Sequence, residues 1–542
     1  MAGAPVLASP SIPNNGSFTL NAGTATAFDP EGDAITYRVY DQLTPGTPKN
    51  SSATFPIAGL GPYTNSPVYN YTFTTFATDA LHPTRATGSQ FVPTASGYVE
   101  RGWVRNWGVS GFAGQYASAL ALSPAGIASV SGSTNNGTNF GGGPVFRGQG
   151  YWGYASTYDP NGGFLWVQSW GTWPGQYASF GTSVATNASG TVVAGGSEYD
   201  SCCSSFGILG SFAPGGSINW WWGGYQSGPN GTDAYFGPAI RSIALDAAGN
   251  IYFSDDLYSN YNYGGGLRIV SGRADFALVK FSSTKTWIAD RMVSSPGVSR
   301  EWGNDLYVDS SNNIYVAGQY DGPTEFGGGP RPVVGQADAF LAKYTVTGST
   351  FNLIWDKTFG TAFVDAATSI TADNTTGNVF AVVGWGGGSM DFGGGARTGN
   401  PGGSTVLSLT SSGTYRWDYP MAGIAGSATG NVRLAPDGSA VMGGSFAGTV
   451  DFGGGPRVSQ SGSWDCVVLR VSATGAYLSD SVFGGPATDN INDVGVAPDG
   501  TIRVCGAFNG TVDFDPGAGV RNLTSSSSAD SFLLKLASDG LY

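Results

Sequence analysis

Acidic side chains supply most of the chemistry that this chain could perform. His82 is the single histidine and precedes Pro83, so Ser/His/Asp and Cys/His arrangements are excluded from the region after residue 97. A carboxylate pair remains, which glycosidases hold roughly 5 to 9.5 Å apart. We interpret most acids as caps of turns and strand starts, and predict that the chain is not an enzyme. The acids available for such a pair include Asp233, Asp255, Asp256, Asp305, Asp365 and Asp489.

The cysteines do not form a recognisable metal motif. Cys202 and Cys203 are adjacent, Cys466 and Cys505 are far apart, and no CxxC spacing occurs. With one histidine in the chain, zinc sites of the common Cys/His type are excluded on ligand count. We expect Cys466 and Cys505 to be small buried residues.

A phrase of an acid or amide, an aromatic residue and a glycine run occurs six times. Examples are "DFGGGAR" at 391–397 and "GTVDFGGGPR" at 448–457. A phosphate-binding loop needs a strand before it, a helix after it and usually a lysine, and none of these is present. We interpret the phrase as a hairpin with glycines at positive φ, an aromatic plug, and an acid facing an arginine across the hairpin.

These phrases belong to a repeating unit. Alternating apolar residues lead into a tight turn seven times, with successive turns 59 to 65 residues apart. Each unit has four strand-like segments, such as "DLYVDSS", "NIYVAGQY", "DAFLAKYTVTG" and "FNLIWDKTFG" in the fourth. Seven four-stranded sheets predict an all-β fold with a seven-bladed β-propeller, because neighbouring sheets must stack to bury their faces.

The ends of the repeat region indicate how the ring closes. The last unit ends after "SFLLKLASDGLY" without a fourth strand, whereas "RGWVRNWG" precedes the first unit. Trp103 and Trp107 in this segment have the spacing of Trp166 and Trp170. We predict that a strand at about 98–110 joins the last blade.

The phrases "ALDAAGNIYFSD", "YVDSSNNIYVAG" and "DAFLAKY" resemble bacterial β-propeller repeats of the SBBP type, over residues 98–542. The resemblance implies an extracellular or cell-surface protein, and it implies no common activity. Residues 1–97 do not follow the period. Their phrase "DPEGDAITY" is similar to cadherin-like and Ig-like bacterial surface modules, which implies a small β-sandwich. We predict no cofactor, with calcium at Asp29, Glu31 and Asp33, helped by Asp79, as an alternative to a plain turn.

Composition limits the partners. The chain has 24 basic and 37 acidic residues, a net charge of -13. Such a surface repels phosphate backbones and anionic lipid, so we predict no nucleic-acid partner. No apolar run approaches the length of a membrane span, which predicts no membrane insertion.

The two faces of the predicted ring differ. Turns between the first and second strands and between the third and fourth are short. The connections from the second strand to the third and from one blade to the next are long and varied, so we expect a ligand to bind on the face that these long connections form. Aromatic residues with flanking acids are concentrated there in blades 2 and 3, although Trp222 and Tyr263 could equally pack between blades. The predicted ligand-binding residues are Trp221, Trp222, Tyr225, Asp255, Asp256, Tyr258, Tyr261 and Tyr263.

The sequence therefore predicts a non-enzymatic extracellular or cell-surface protein that uses a rigid ring for adhesion to a glycan or protein. One alternative is a structural subunit of a surface layer, fibre or appendage, whose partners are copies of itself. The other is a polysaccharide hydrolase or lyase.

Overall fold

The computed structural model describes residues 102–109, 114–146, 150–171, 176–200, 205–223, 239–398, 403–421, 430–517, 519–526 and 528–542, together with short strands of the first hundred residues. The chain divides into two compact units. One contains Met1–Gly102, Gly517–Gly519 and Leu541–Tyr542, and the other contains Trp103–Pro516 and Val520–Gly540.

The described strands of the first unit form three small sheets. Ser17–Thr19 pairs with Thr54–Pro56, and Val68–Tyr69 pairs with Gly97–Tyr98, both antiparallel. Phe73–Thr78 lies between Thr36–Tyr40 and Ser89–Phe91 in a third sheet. The Ig-like sandwich stays a prediction, and Asp29, Glu31, Asp33 and Asp79 lie outside the described residues.

The second unit is an all-β, seven-bladed propeller, as predicted, and each blade is a four-stranded antiparallel sheet. From the first strand to the fourth, blade 1 is Tyr116–Leu122, Ala128–Thr134, Trp152–Tyr158 and Phe164–Trp170; blade 2 is Gln176–Thr186, Val192–Asp200, Ser205–Phe212 and Ile218–Gly223; and blade 3 is Ala239–Leu245, Ile251–Leu257, Asp275–Phe281 and Trp287–Val293. Blade 4 is Glu301–Val308, Ile314–Tyr320, Asp338–Thr347 and Thr350–Phe359, and blade 5 is Asp365–Ala372, Val379–Trp385, Gly403–Leu409 and Tyr415–Met421. Blade 6 is Gly430–Leu434, Ala440–Ala447, Trp464–Val471 and Tyr477–Phe483, and blade 7 is Asn490–Val496, Ile502–Phe508, Asp530–Leu536 and Trp103–Trp107.

The ring closes through the predicted strand. Trp103–Trp107 pairs antiparallel with Asp530–Leu536, from Trp103 opposite Lys535 to Trp107 opposite Ser531. The first strands contact one another around the centre, including that of blade 7 with that of blade 1. This closing strand therefore joins the two ends of the repeat region within one sheet.

Apolar side chains fill the spaces between blades. Phe276 of blade 3 stacks on Phe340 of blade 4 with ring centroids 5.6 Å apart, and both side chains are fully buried. Burial of each such ring contributes about 2 to 3 kcal/mol. Cys466 and Cys505 are buried and free, as predicted.

Tryptophans of the fourth strands add hydrogen bonds between neighbouring blades. In five blades, the indole N–H donates to a main-chain carbonyl oxygen in the turn between the third and fourth strands of the next blade, at 2.9 to 3.1 Å. The pairs are Trp103 to Pro160, Trp166 to Pro214, Trp220 to Ser283, Trp355 to Ser411 and Trp417 to Ala473.

The glycine phrase forms a small two-stranded hairpin between the second and third strands. In blade 5, Ser389–Asp391 pairs with Ala396–Thr398, Gly393 and Gly395 have φ of 109° and 99°, and Phe392 is buried. The other hairpins are Thr138–Asn139 with Pro144–Val145, Tyr261–Asn262 with Leu267–Arg268, Thr324–Glu325 with Pro330–Arg331, Thr449–Asp451 with Pro456–Val458, and Thr511–Asp513 with Asn522–Thr524. The structural interpretation of this phrase is confirmed.

One detail of that prediction is wrong. The hairpin acid does not face the arginine: Asp391 Oδ1 accepts hydrogen bonds from the amides of Gly393 and Gly395, at 2.7 and 3.0 Å. Arg397 instead donates to both carboxylate oxygens of Asp418 in the fourth strand. The amides of the turn converge on the acid, which leaves the longer arginine side chain free to reach the neighbouring strand.

Candidate functional site

The first strands of the blades carry a repeated polar position at the entrance of the central channel. In several blades the residue at this position forms a β-bulge, and its side chain donates a hydrogen bond to the next blade. The side chains donate to main-chain carbonyl oxygens at 2.5 to 3.0 Å, in the pairs Thr182 to Ile240, Asn304 to Ala367, Thr368 to Gly430 and Asn492 to Ala117. Blade 3 departs from this pattern, because its bulged residue is Arg241.

Arg241 forms a different contact. Its Nε donates to Oδ2 of Asp256 at 2.6 Å, and its guanidinium also hydrogen-bonds Tyr258. Asp256 is buried, and burial raises its pKa to about 6 although Arg241 opposes that shift. Arg241 therefore has a carboxylate partner beneath it.

A cavity of about 840 Å³ opens at this end of the ring over blades 1 to 4. Its wall is built from starts of first strands and ends of second strands, which lie at the same end because the strands are antiparallel. Tyr116 and Tyr258 are 45% and 37% exposed, respectively, and line it together with Phe180. Hydroxyl groups come from Ser118, Ser133, Thr182 and Ser197, and cations from Arg241, Arg273 and Arg300. Among the described residues, no carboxylate lines this cavity.

The cavity adjoins a smaller one at the channel mouth. This second space of about 420 Å³ shares Tyr116 and Ser118 with the first. Its other polar side chains are Thr368, Asn431 and Asn492 of blades 5 to 7. A ligand longer than the main cavity could therefore extend across the entrance of the channel.

Main-chain bonds place Arg273 and Arg300 at the junction of blades 3 and 4. The amide of Arg273 donates to the carbonyl oxygen of Ser299 at 2.7 Å. The amide of Glu301 donates to the carbonyl oxygen of Ala274 at 3.0 Å, and Ala274 and Arg300 form a parallel bridge. Neither guanidinium forms an ion pair with a carboxylate of the described residues. These arginines thus differ from Arg241.

The predicted site residues do not come together on one surface. Trp221 and Trp222 are consecutive in a strand and therefore face opposite sides of the sheet. Trp221 packs against Trp170 and Phe212 towards blade 1, whereas Trp222 packs against Phe253 of blade 3, with ring centroids 5.7 Å apart.

The remaining members have separate positions. Tyr261 and Tyr263 are buried beside Trp222, and Tyr263 donates to buried Asp255 at 2.7 Å. Asp256 is buried beneath Arg241, and Tyr225 lies outside the described residues. Of the predicted residues that the structure describes, Tyr258 is the one that lines the cavity.

The acids considered for catalysis have structural contacts. Asp365 accepts from the amide of Gly386 at 3.0 Å, and Asp489 accepts from the amides of Gly485 and Asn509 at 2.7 and 2.9 Å. Burial raises the pKa of Asp489 to about 6. These carboxylates cap loops, as the sequence indicates, while Asp233 lies outside the described residues.

Asp305 belongs to the channel and not to the cavity. Its Oδ2 lies 3.4 Å from Nη1 of Arg433, whose Nη2 lies 3.6 Å from Oδ1 of Asp493. The ion pairs connect blades 4, 6 and 7 across the channel. Burial raises the pKa of Asp493 to about 6, against the attraction of Arg433.

The sequence interpretation missed the three arginines of the cavity. Arg241, Arg273 and Arg300 look unrelated along the chain, and only the sheet register brings them to one place. Alignment of the repeats position by position, with attention to departures from the pattern, would have identified them.

Comparisons with known proteins give no family. No family model and no curated protein matches the chain. Similar solved structures include Sqt1 from Chaetomium thermophilum, with a TM-score of 0.37, 9% identity, and coverage of 80% of this chain and 100% of that one. Kuenenia stuttgartiensis hydrazine synthase has a TM-score of 0.32, 8% identity, and coverage of 61% and 76%, respectively. At these scores the likenesses carry no argument about function.

No helix among the described residues is long and apolar enough to cross a membrane. The described part of the chain also contains no group of three or more His, Cys, Asp or Glu residues arranged to hold a metal ion.

Proposed function

We propose that this chain is a non-enzymatic binding protein of the bacterial cell surface or extracellular space, and that it holds a glycan in the cavity over blades 1 to 4. The extracellular location is supported by the resemblance of the repeats to SBBP propellers. The observation that carries the proposal is the cavity itself, in which exposed faces of Tyr116 and Tyr258 accompany four hydroxyl side chains.

The size and lining of the cavity favour a glycan over a protein partner. Small-ligand sites typically enclose about 300 to 1,000 Å³, whereas a protein partner typically covers about 800 Å² of surface. The cavity, at about 840 Å³, falls in the first class. Aromatic faces can stack on sugar rings, and hydroxyls can hydrogen-bond to those of a sugar.

Binding is favoured over hydrolysis by the placement of the acids. Glycoside hydrolysis needs two carboxyl groups at the scissile bond. Asp255, Asp256, Asp365 and Asp489 are buried and engaged in contacts within the protein. The described wall of the cavity supplies hydroxyls, aromatic rings and guanidinium groups instead.

A glycan array, followed by product analysis of any bound polysaccharide, tests this function. The full chain should retain a glycan without shortening it, and Tyr116→Ala and Tyr258→Ala should weaken retention. Phe146→Ala is the matched control, because Phe146 is 70% exposed and does not line the cavity. Absence of binding to every glycan, or release of shortened products, would contradict the proposal.

A further inference from the structure

We propose that the group recognised in this cavity is an anion, the carboxylate or sulfate of an acidic polysaccharide, and that Arg273 and Arg300 bind it. The inference rests on the proposed glycan-binding function and names its ligand class. It follows from the charge of the cavity, from the repeat positions of the arginines, and from the absence of described carboxylates to neutralise two of them.

The cavity is lined by positive charges, although the chain as a whole is acidic. The whole sequence has a net charge of -13, with only 24 basic residues among 542. Three of these basic residues line one cavity, whose described wall contains no acid. Neighbouring like charges repel one another, which costs free energy when no ligand is bound. An anionic ligand would remove that cost.

The blade fold does not need an arginine at position 300. The parallel bridge between Ala274 and Arg300 recurs between Ala337 and Val364, and between Tyr151 and Ala178. Val364 and Ala178 are therefore the equivalents of Arg300, and both have small neutral side chains. An arginine at the same place in blade 4 is an addition to the pattern.

Other blades also lack an arginine at the position of Arg273. Asp275, Asp338, Asp465 and Asp530 each face the end of a second strand. Two residues before these aspartates the chain has Arg273, Gln336, Ser463 and Ser528, respectively. Of these four blades, three form the connection with an uncharged polar side chain, and blade 3 has a cation there. Both departures are at the junction of blades 3 and 4.

The remaining cation of the cavity has a positioning role. Arg241 pairs with Asp256 and hydrogen-bonds Tyr258, so its charge is largely matched inside the protein. The carboxylate of Asp321 accepts a hydrogen bond from the main-chain amide of Arg300, but it forms no ion pair with the Arg300 guanidinium. Arg273 and Arg300 therefore remain to supply the planar, forked donors that fit carboxylate and sulfate oxygens.

The repeats themselves supply the test variants. Arg273→Gln and Arg300→Val introduce the residues that blades 4 and 5 have at the equivalent positions, Gln336 and Val364, so the fold should tolerate both. Arg521→Gln is the control, because it removes one positive charge from an exposed residue of blade 7 outside the cavity. Binding of polygalacturonate, dextran sulfate, neutral dextran and poly-glutamate would be measured by calorimetry at low and high salt.

We expect the native chain to bind polygalacturonate or dextran sulfate, and the stronger of the two identifies the carboxylate or the sulfate. Loss of one charge-assisted contact should weaken binding roughly 10- to 100-fold. Each cavity variant should show this loss, Arg521→Gln should not, and salt should weaken native binding.

Three outcomes would overturn the inference. Equal binding of neutral dextran by the native chain and by both arginine variants would remove the anion and leave the glycan-binding function intact. Anionic binding that Arg521→Gln weakens as much as the cavity variants do would indicate a general charge effect. Binding of poly-glutamate without any polysaccharide would overturn the proposed function together with the inference.

Discussion

The indole N–H of Trp107 donates to the phenolic oxygen of Tyr154 at 3.1 Å, which joins the fourth strand of blade 7 to the third strand of blade 1. Both side chains are buried, and Trp107 also stacks on Tyr158 with ring centroids 5.6 Å apart. The strand that closes the last blade is therefore fixed on its other face by the first blade. Two sets of contacts therefore hold the closing strand, the strand pairing and this aromatic cluster.

We expect Trp107→Ala to destabilise the ring strongly. Removal of a buried tryptophan costs about 3 to 5 kcal/mol, and here it also leaves the Tyr154 hydroxyl without its indole partner. Deletion of residues 98–110 should lower the melting temperature further, because it removes the strand itself. Chemical denaturation measures the free energy of unfolding, with Leu478→Ala, at a half-exposed site, as control. An unchanged melting temperature in the deletion variant would show that the closing strand does not stabilise the ring.

The closing strand was predictable from the sequence because its evidence is local. Trp103 and Trp107 have the spacing of Trp166 and Trp170, and the last unit lacks one strand. The packing side of the aromatic residues was not predictable in the same way. Trp222 and Tyr263 fill the space between blades 2 and 3, with ring centroids 6.3 Å apart. The residue type alone does not show whether an aromatic side chain in a blade faces a neighbouring blade or solvent.

The Arg241–Asp256 pair should show strong coupling. Arg241→Asn introduces the residue that blade 4 has at this position, but it leaves buried Asp256 without its cation. Because solvent reaches Arg241, we expect a loss of about 1 to 3 kcal/mol, less than for a fully buried pair. Asp256→Asn in the same chain should restore much of it, and denaturation of the single and double variants measures the coupling. Additive effects of the two substitutions would contradict this role of the pair.

Glu301 should make stability depend on pH. Its side chain is fully buried and accepts hydrogen bonds from Ser295 and, at 3.1 Å, from Thr324. Burial raises the pKa of Glu301 to about 7, and the nearby carboxyls of Asp275 and Asp321 act in the same direction. The folded chain therefore binds a proton that the unfolded chain, with a pKa of about 4.3, releases. The stabilisation is complete below pH 4 and is lost as pH rises through 7.

The size of this effect follows from linkage, at about 3 kcal/mol between pH 4 and pH 8. Glu301→Gln keeps the shape and removes the titration. We expect the difference in unfolding free energy between the native chain and this variant to shift towards the variant as pH rises. Denaturation at several pH values measures it. A difference that stays constant from pH 4 to 8 would show that Glu301 does not titrate in this range.

The cavity arginines show where sequence reasoning reached its limit. The strand period predicted that first-strand starts and second-strand ends share one end of the ring. It did not predict that Arg273 and Arg300 become neighbours, because that contact depends on main-chain bonds between blades 3 and 4. Comparison with Gln336 and Val364 marks each arginine as a departure from the repeat, and the register then shows that the two departures meet at one junction.

Tyr258 and Tyr261 should separate binding from stability. Both belong to the aromatic group that the sequence indicates, but Tyr258 is 37% exposed in the cavity wall, whereas Tyr261 is 8% exposed and packs against Tyr263 with centroids 4.9 Å apart. Tyr258→Ala should weaken glycan binding and change the melting temperature little. Tyr261→Ala should lower the melting temperature and leave the affinity of the folded fraction near that of the native chain. The reverse pattern would place the ligand against Tyr261, and would require the space between blades 2 and 3 to open for it.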